Sequence, residues 1–222
     1  DIVIMGGNNY RKGIFNGDEV LLSGTGKINN FNSDLDFILN LTDKTKFSHK
    51  LDIKTHFKIS NNPSDARNKI AFLSLLGGSS VLDFTYTNKD SKGIIAIDAD
   101  ITNLDLYFDK LGIRKKQNDK SNLVVTGTFT DPTKGEIDFS VSSKSGLKTT
   151  GTIHINSNKA TADIREIKHK KTDLTAKIVL DKNLFDASIH GKILDLSDAD
   201  MLQFLEKERD SGSTKLALSI DR

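Results

Sequence analysis

The sequence predicts a mainly β protein: one long, open antiparallel sheet with one apolar and one polar face, and two short helices at about 65–76 and 198–210. Three observations carry this reading. Apolar residues recur at every second position in run after run, the period of a strand with one buried and one wet face. Lys, Asp, Ser and Thr fill the alternate positions, and short polar turns separate the runs, as in antiparallel hairpins with one solvated face. Only 36% of the 222 residues are hydrophobic, and mean hydropathy is −0.37. That is too little apolar mass for a two-layer sandwich with a thick core.

The first third reads as strands at Ile2–Met5, Arg11–Phe15, Glu19–Asn29, Asp34–Thr42 and Phe47–Ser60, with Asn8-Asn9 and Asn16-Gly17 as turn signals. Gly24 and Gly26 mark a bulge or tight bend. A break follows at Asn61-Asn62-Pro63-Ser64-Asp65, where Ser64 or Asp65 suits a helix N-cap. Ile70, Phe72, Leu73 and Leu76 then fall at helical spacing, and Gly77-Gly78 ends the helix. Leu82, Phe84 and Tyr86 alternate next, then Ile95, Ile97, Ala99 and Ile101, then Leu104, Leu106 and Phe108. Arg114–Lys120 is charged and strand-poor, and reads as an exposed loop. From Ser121 to Leu196 the alternation is nearly unbroken. A second helix, Asp200–Arg209, and the strand Leu216–Ile220 echo the first helix and its following strand, an internal repeat. The domain reading is 1–64, 65–196 and 197–222, with one continuous domain as the alternative. The run Asp1–Met5 starts as though mid-strand and Lys215–Ile220 stops inside an alternating run. This predicts a piece of a longer chain, with any targeting signal or anchor outside it.

Little here can do chemistry. There are no cysteines, which removes disulfides and thiolate nucleophiles. The five histidines, His49, His56, His154, His169 and His190, lack metal-site spacing. The carboxylate pairs Asp34/Asp36 and Asp98/Asp100 fall on polar strand faces, and Asp198/Asp200 overlaps a helix cap. No nucleophile elbow, phosphate loop or cofactor fingerprint is present. The chain therefore reads as a non-enzyme without metal or cofactor. A net charge of +2 implies no nucleic-acid partner. The basic clusters Arg114–Lys116 and Lys168–Lys171 read as solvated loops that could touch anionic headgroups. Gly127, Gly151 and Gly191 sit in phase with the apolar face, and mark either room for a guest or close sheet approach.

An ordered set of motifs carries a resemblance. It comprises Ala99-Asp-Ile-Thr-Asn-Leu-Asp-Leu106, Leu111-Gly-Ile-Arg-Lys115, Thr126-Gly-Thr128 and Gly146-Leu-Lys-Thr-Thr-Gly-Thr-Ile153. Ala162-Asp-Ile-Arg-Glu-Ile167, Thr172-Asp-Leu-Thr-Ala176 and Phe185-Asp-Ala-Ser-Ile-His-Gly-Lys-Ile-Leu-Asp-Leu196 follow. In this order they resemble the AsmA-like superfamily of bacterial envelope proteins, and within it the YhdP type related to TamB. The Trp and Pro that relatives carry after the Leu-Gly step are absent here. The resemblance implies an elongated, curved antiparallel sheet forming an open, taco-like β-groove that carries phospholipid acyl chains across the periplasm, between inner and outer membrane of a Gram-negative bacterium. It also implies an inner-membrane anchor outside this chain and neighbouring β-segments of the same longer chain as partners. The residues expected to line the groove are Leu123, Val125, Phe129, Phe139, Val141, Ile153, Ile155, Ile164, Ile178, Phe185, Ile189 and Ile193. The rival expectation is a structural or adhesive β-rich stalk that binds no ligand.

Overall fold

A computed structural model describes residues 4–15, 17–28, 31–42, 46–59, 76–108, 113–181, 184–193 and 214–220. Thirteen strands lie side by side in one open sheet, almost all in chain order. They are β1 (Ile4–Phe15), β2 (Glu19–Ile28), β3 (Phe31–Asn40), β4 (His49–Ile59), β5 (Leu76–Lys89) and β6 (Lys92–Asp100). Two short strands branch off, β7 (Leu104–Phe108) and β8 (Ile113–Lys115), before the order resumes. The rest are β9 (Ser121–Asp131), β10 (Lys134–Ser143), β11 (Lys148–Asn156), β12 (Lys159–His169), β13 (Thr172–Asp181), β14 (Leu184–Ile193) and β15 (Thr214–Ile220). β1 and β15 do not pair, so the sheet is not closed.

Every pair is antiparallel except the last. β15 runs parallel to β14, with Phe185 opposite Thr214 and Gly191 opposite Ile220. The expected all-antiparallel sheet is corrected there: Thr214 lies at the opposite rim from Ile193. The two rims differ. One carries tight hairpins at Asp90-Ser91, Pro132-Thr133 and Ser157-Asn158. Asp90 and Ser91 both have positive φ, 51° and 60°, the type I′ geometry that matches strand twist. The other, the loop rim, carries the 101–120 excursion, the 144–147 loop and the Lys170-Lys171 turn.

Four sequence expectations change. Ile2–Met5 and Arg11–Phe15 are not separate strands: from Ile4 onward they form one strand, β1, whose register shifts between Met5 and Asn9 and again between Tyr10 and Lys12. Asn8-Asn9 is thus inside a strand, and the irregularity attributed to Gly24 and Gly26 belongs to the partner β1, since β2 meets β3 in unbroken register. Leu76, Gly77 and Gly78 open β5 rather than close a helix. Those three residues pair with Leu106, Asp105 and Leu104 of β7, which holds them extended. The remainder of the first expected helix, and all of the second, lie outside the described residues. Arg114–Lys120 is not simply an exposed loop, because Ile113–Lys115 is β8 and Lys115 is fully buried.

The buried core is a strip along the loop rim. Ala99, Ile101 and Leu104 pack with Leu82, Ile97, Leu123 and Val141. Leu147, Ile167, Leu174, Ala176 and Ile189 pack with Val141 and Ile164. Ile101 and Leu147 come from connections and Leu104 opens the branch strand β7, so these segments fold over the apolar face at that rim.

Candidate apolar trough

Cross-strand partners in a sheet share a face, so registers alone trace the rows of positions that run across it. One row runs Tyr10, Gly24, Leu35, Ile53, Phe84, Ile97, Val125, Phe139, Gly151, Ile164, Ala176, Ile189, Leu218. It crosses all thirteen strands without a charged residue. The row beside it runs Leu22, Phe37, Leu51, Tyr86, Ile95, Gly127, Ile137, Ile153, Ala162, Ile178, Ala187, Leu216, again uncharged. On the opposite face the intervening row reads Asp36, Asp52, Thr85, Ala96, Thr126, Asp138, Thr152, Asp163, Lys177, Ser188. With roughly 4.8 Å between strands, the apolar rows extend about 60 Å.

Of the twelve residues expected to line a groove, six stand in these two rows, five in the rows beside them on the same face, and one leaves the face. Val125, Phe139, Ile164 and Ile189 stand in the first row, and Ile153 and Ile178 in the second. Leu123 and Val141 pair with each other one row toward the loop rim. Phe129, Ile155 and Phe185 stand one row toward the hairpin rim, opposite Gly135, Ala160 and Leu180. Ile193 leaves the face: a register shift between Asp173 and Leu174 places it opposite Asp173, and it is 51% exposed. The sequence reading confined its groove to residues after 120 and passed over Ile137. The same alternation brings Leu35, Phe37, Leu51, Ile53, Phe84, Tyr86, Ile95 and Ile97 to the same face.

The face is half-buried. Val125, Phe139, Ile153, Ile164 and Ile178 all keep partial exposure, while the large apolar side chains that are fully buried belong to the loop-rim strip. The space over the in-phase Gly151 is filled from within the one sheet, by a side chain of the neighbouring strand and not by a second sheet. A Cβ on Gly151 would stand 2.7 Å from Cζ of Phe139 and 2.8 Å from the Asp163 carbonyl oxygen. The Phe139 ring occupies the space over Gly151, an aromatic covering a cross-strand glycine.

Loop-rim geometry depends on Lys115. Its Nζ donates to the carbonyls of Leu104 at 2.7 Å, Thr102 at 3.0 Å and Lys116 at 3.1 Å. Burial pushes its pKa down, against the pull of Asp119, Asp105 and Asp100. The ammonium thus ties both interruptions of the broken β6–β7 and β8–β9 hairpin together. No sequence signal separates Lys115 from its neighbours Arg114 and Lys116.

The polar face is an electrostatic ladder. Thr152 donates to Asp138 at 2.5 Å, and Arg165 donates to Thr152 at 2.6 Å and approaches Asp138 at 3.4 Å. Asp138 is held below the usual carboxylate range by the Thr152 hydrogen bond first, against some burial, then by Arg165. Glu166 is likewise lowered by hydrogen bonds from Lys148 and Lys168, each at 2.8 Å. His154 lies 3.0 Å from Glu136 and 3.8 Å from Asp163. Among the described residues no group of three or more His, Asp or Glu is placed to hold a metal ion. No family model matches the chain, and neither a curated protein nor a solved structure matches it.

Proposed function

We propose that this chain is a segment of a lipid conduit of the bacterial envelope, whose apolar sheet face shields phospholipid acyl chains from water on their way across the periplasm. The observation that carries the reading is the pair of uncharged rows crossing the sheet, half-buried and opposite a face on which charged and hydroxyl side chains predominate. Monomeric soluble proteins rarely expose a contiguous apolar face on this scale without a partner for it. An acyl chain laid across the strands gains roughly 0.8 kcal/mol for each CH₂ removed from water. Curvature of the sheet around that chain gives the open groove, and the ordered motifs that resemble the AsmA-like superfamily support the same assignment. The chain works by carriage alone, with no catalytic group, metal or cofactor. Its partners are the acyl chains, neighbouring β-segments of a longer protein, and an inner-membrane anchor beyond residues 1–222.

The test is native mass spectrometry of the chain purified from bacterial cells, followed by lipid extraction. Co-purifying phospholipid that disappears in Ile178→Asp, with the β-sheet circular dichroism retained, is the expected result. Ile178 faces Ala162 and Ala187 in the second row, so the new carboxylate would stand among uncharged positions only. A lipid-free, monodisperse and stable wild-type chain would overturn the conduit and favour a ligand-free envelope stalk.

A further inference from the structure

The two basic clusters of the sequence, around residues 114–116 and 168–171, are distant in the chain but share the loop rim. Between them the fold inserts three more lysines, Lys120, Lys144 and Lys148: the Lys144 N–H donates 2.8 Å to the Lys120 carbonyl. Lys148 stands directly opposite Lys168. The rim from β9 to β13 thus presents Lys116, Lys120, Lys144, Lys148, Lys168, Lys170 and Lys171, all exposed. Of the carboxylates among them, Asp119, Glu166 and Asp173 are half-buried, and Asp100, beside Lys120 and Lys144, is exposed. Glu166 is held between Lys148 and Lys168, and Asp119 accepts from Ser145 N–H at 3.0 Å and Oγ at 2.6 Å. Seven lysines against Asp100, Asp119, Glu166 and Asp173 leave an excess of three positive charges, where the whole chain carries +2. At the hairpin rim of the same strands, Lys134 and Lys159 are balanced by Asp131 and Asp181. The sheet is therefore polarised along its strands, with one basic rim roughly 20 Å long.

We propose that this loop rim docks the protein on an anionic phospholipid surface. The proposal stands apart from the conduit reading, because Ile101, Leu104 and Leu147 cover the apolar face at this rim, and the lysines project outside it. The composition fits a membrane better than a nucleic acid. The exposed charges are lysines, point charges without the bidentate fork that reads phosphates individually, and no aromatic is interleaved among them for base stacking. Each basic charge near an anionic leaflet contributes roughly fivefold to partitioning, so three in excess give on the order of a hundredfold.

The test is co-sedimentation of the 222-residue chain with phosphatidylglycerol–phosphatidylcholine vesicles and with phosphatidylcholine alone. Binding to the anionic vesicles only, weakening as salt shortens the Debye length, is expected. The triple variant Lys120→Glu, Lys144→Glu, Lys171→Glu should lose at least a hundredfold in partitioning. The hairpin-rim triple Lys92→Glu, Lys134→Glu, Lys159→Glu makes the same change in net charge and should retain most of it, both variants keeping the wild-type β-sheet circular dichroism. Equal loss in both triples, equal binding to both vesicles, no binding, or tighter binding to a single-stranded oligonucleotide than to the anionic vesicles would each overturn the proposal. If the loop-rim triple does not fold, the glutamine triple at the same positions takes its place. Lipid carriage is read by extraction of co-purified lipid, so failure of that reading leaves this result standing.

Discussion

Gly151 shows how one residue sets the texture of the apolar face. A side chain there would meet the Phe139 ring at 2.7 Å and the Asp163 carbonyl at 2.8 Å. The ring can rotate away, whereas the carbonyl is backbone and cannot. Gly151→Ala should therefore cost about 1–3 kcal/mol, the usual penalty for overpacking, read as a lower urea midpoint. The alternation of residues 147–155 revealed that Gly151 faces the apolar side, but not that a phenylalanine lies over it, because that depends on cross-strand register. Lys115 makes the opposite case. It is fully buried, and its ammonium reaches three carbonyls. Lys115→Met keeps the volume and deletes the donor. The Thr102 carbonyl still accepts from Asn118 N–H at 2.9 Å and the Lys116 carbonyl from Asp119 N–H at 3.4 Å, so the main loss falls on Leu104. Unmet buried acceptors cost about 1–3 kcal/mol, more than is regained by no longer burying a charge that has three good partners. Equal unfolding midpoints for Lys115→Met and wild type would sink this account.

Elements explain what the sequence could and could not show. Strands such as β10 and β13 were legible because each buries one face, which a period of two records directly. Their pairing order was legible too, since short polar turns connect only neighbours. The β6–β7 and β8–β9 interruptions were not: Arg114, Lys115 and Lys116 look alike in composition, and only the carbonyls of an eleven- to thirteen-residue-distant excursion distinguish them. The parallel β15 was equally hidden, since its alternation is the same in either direction. Turns carry their own test. Asp90-Ser91 adopts two left-handed residues without glycine, a conformation that costs roughly 1–2 kcal/mol per non-glycine residue. Ser91→Gly should stabilise the β5–β6 hairpin by up to about 1 kcal/mol after glycine's larger unfolded-state entropy is deducted. The polar ladder sets the pH response. Asp100, lowered chiefly by Thr102, Asp131 by Thr133, Asp138 by Thr152 and Glu166 by Lys148 all have folded pKa values below their unfolded ones. Their stabilisation is complete above the unfolded carboxylate range near 4 and is lost as pH falls through the folded values. Melting temperature should hold from neutrality to about pH 5 and decline below about pH 4. A melting temperature unchanged down to pH 2.5 would refute the ladder's role.

At the scale of the molecule, the sheet is nearly one-dimensional. Each strand on the main path pairs only with the one before and after it, apart from the β7–β8 branch. Stability is then close to a sum of strand terms and neighbour interfaces, as in repeat proteins, and nothing couples β1 to β15 except the strands between. Burial is not spread evenly along this chain of interfaces. Both buried clusters lie between β5 and β14 and meet at Val141 of β10. In β2, by contrast, no described side chain reaches full burial and Leu22 is 42% exposed. Unfolding should therefore proceed from the β1 side inward rather than as one transition. Native-state hydrogen exchange checks this directly. Amides of β9–β13 should exchange through the largest opening free energy, and those of β2 and β3 through smaller ones that fall toward the edge. A ligand lying across the rows would alter that gradient in a characteristic way. An acyl chain spanning β3 to β13 touches many interfaces at once, so its binding energy would be shared among them and raise protection in β3 and β4 along with the centre. Uniform exchange across all strands without lipid would contradict the nearest-neighbour picture, and protection rising only at β9–β13 on lipid addition would confine the trough to the half of the sheet that the alternation after Ser121 first marked out.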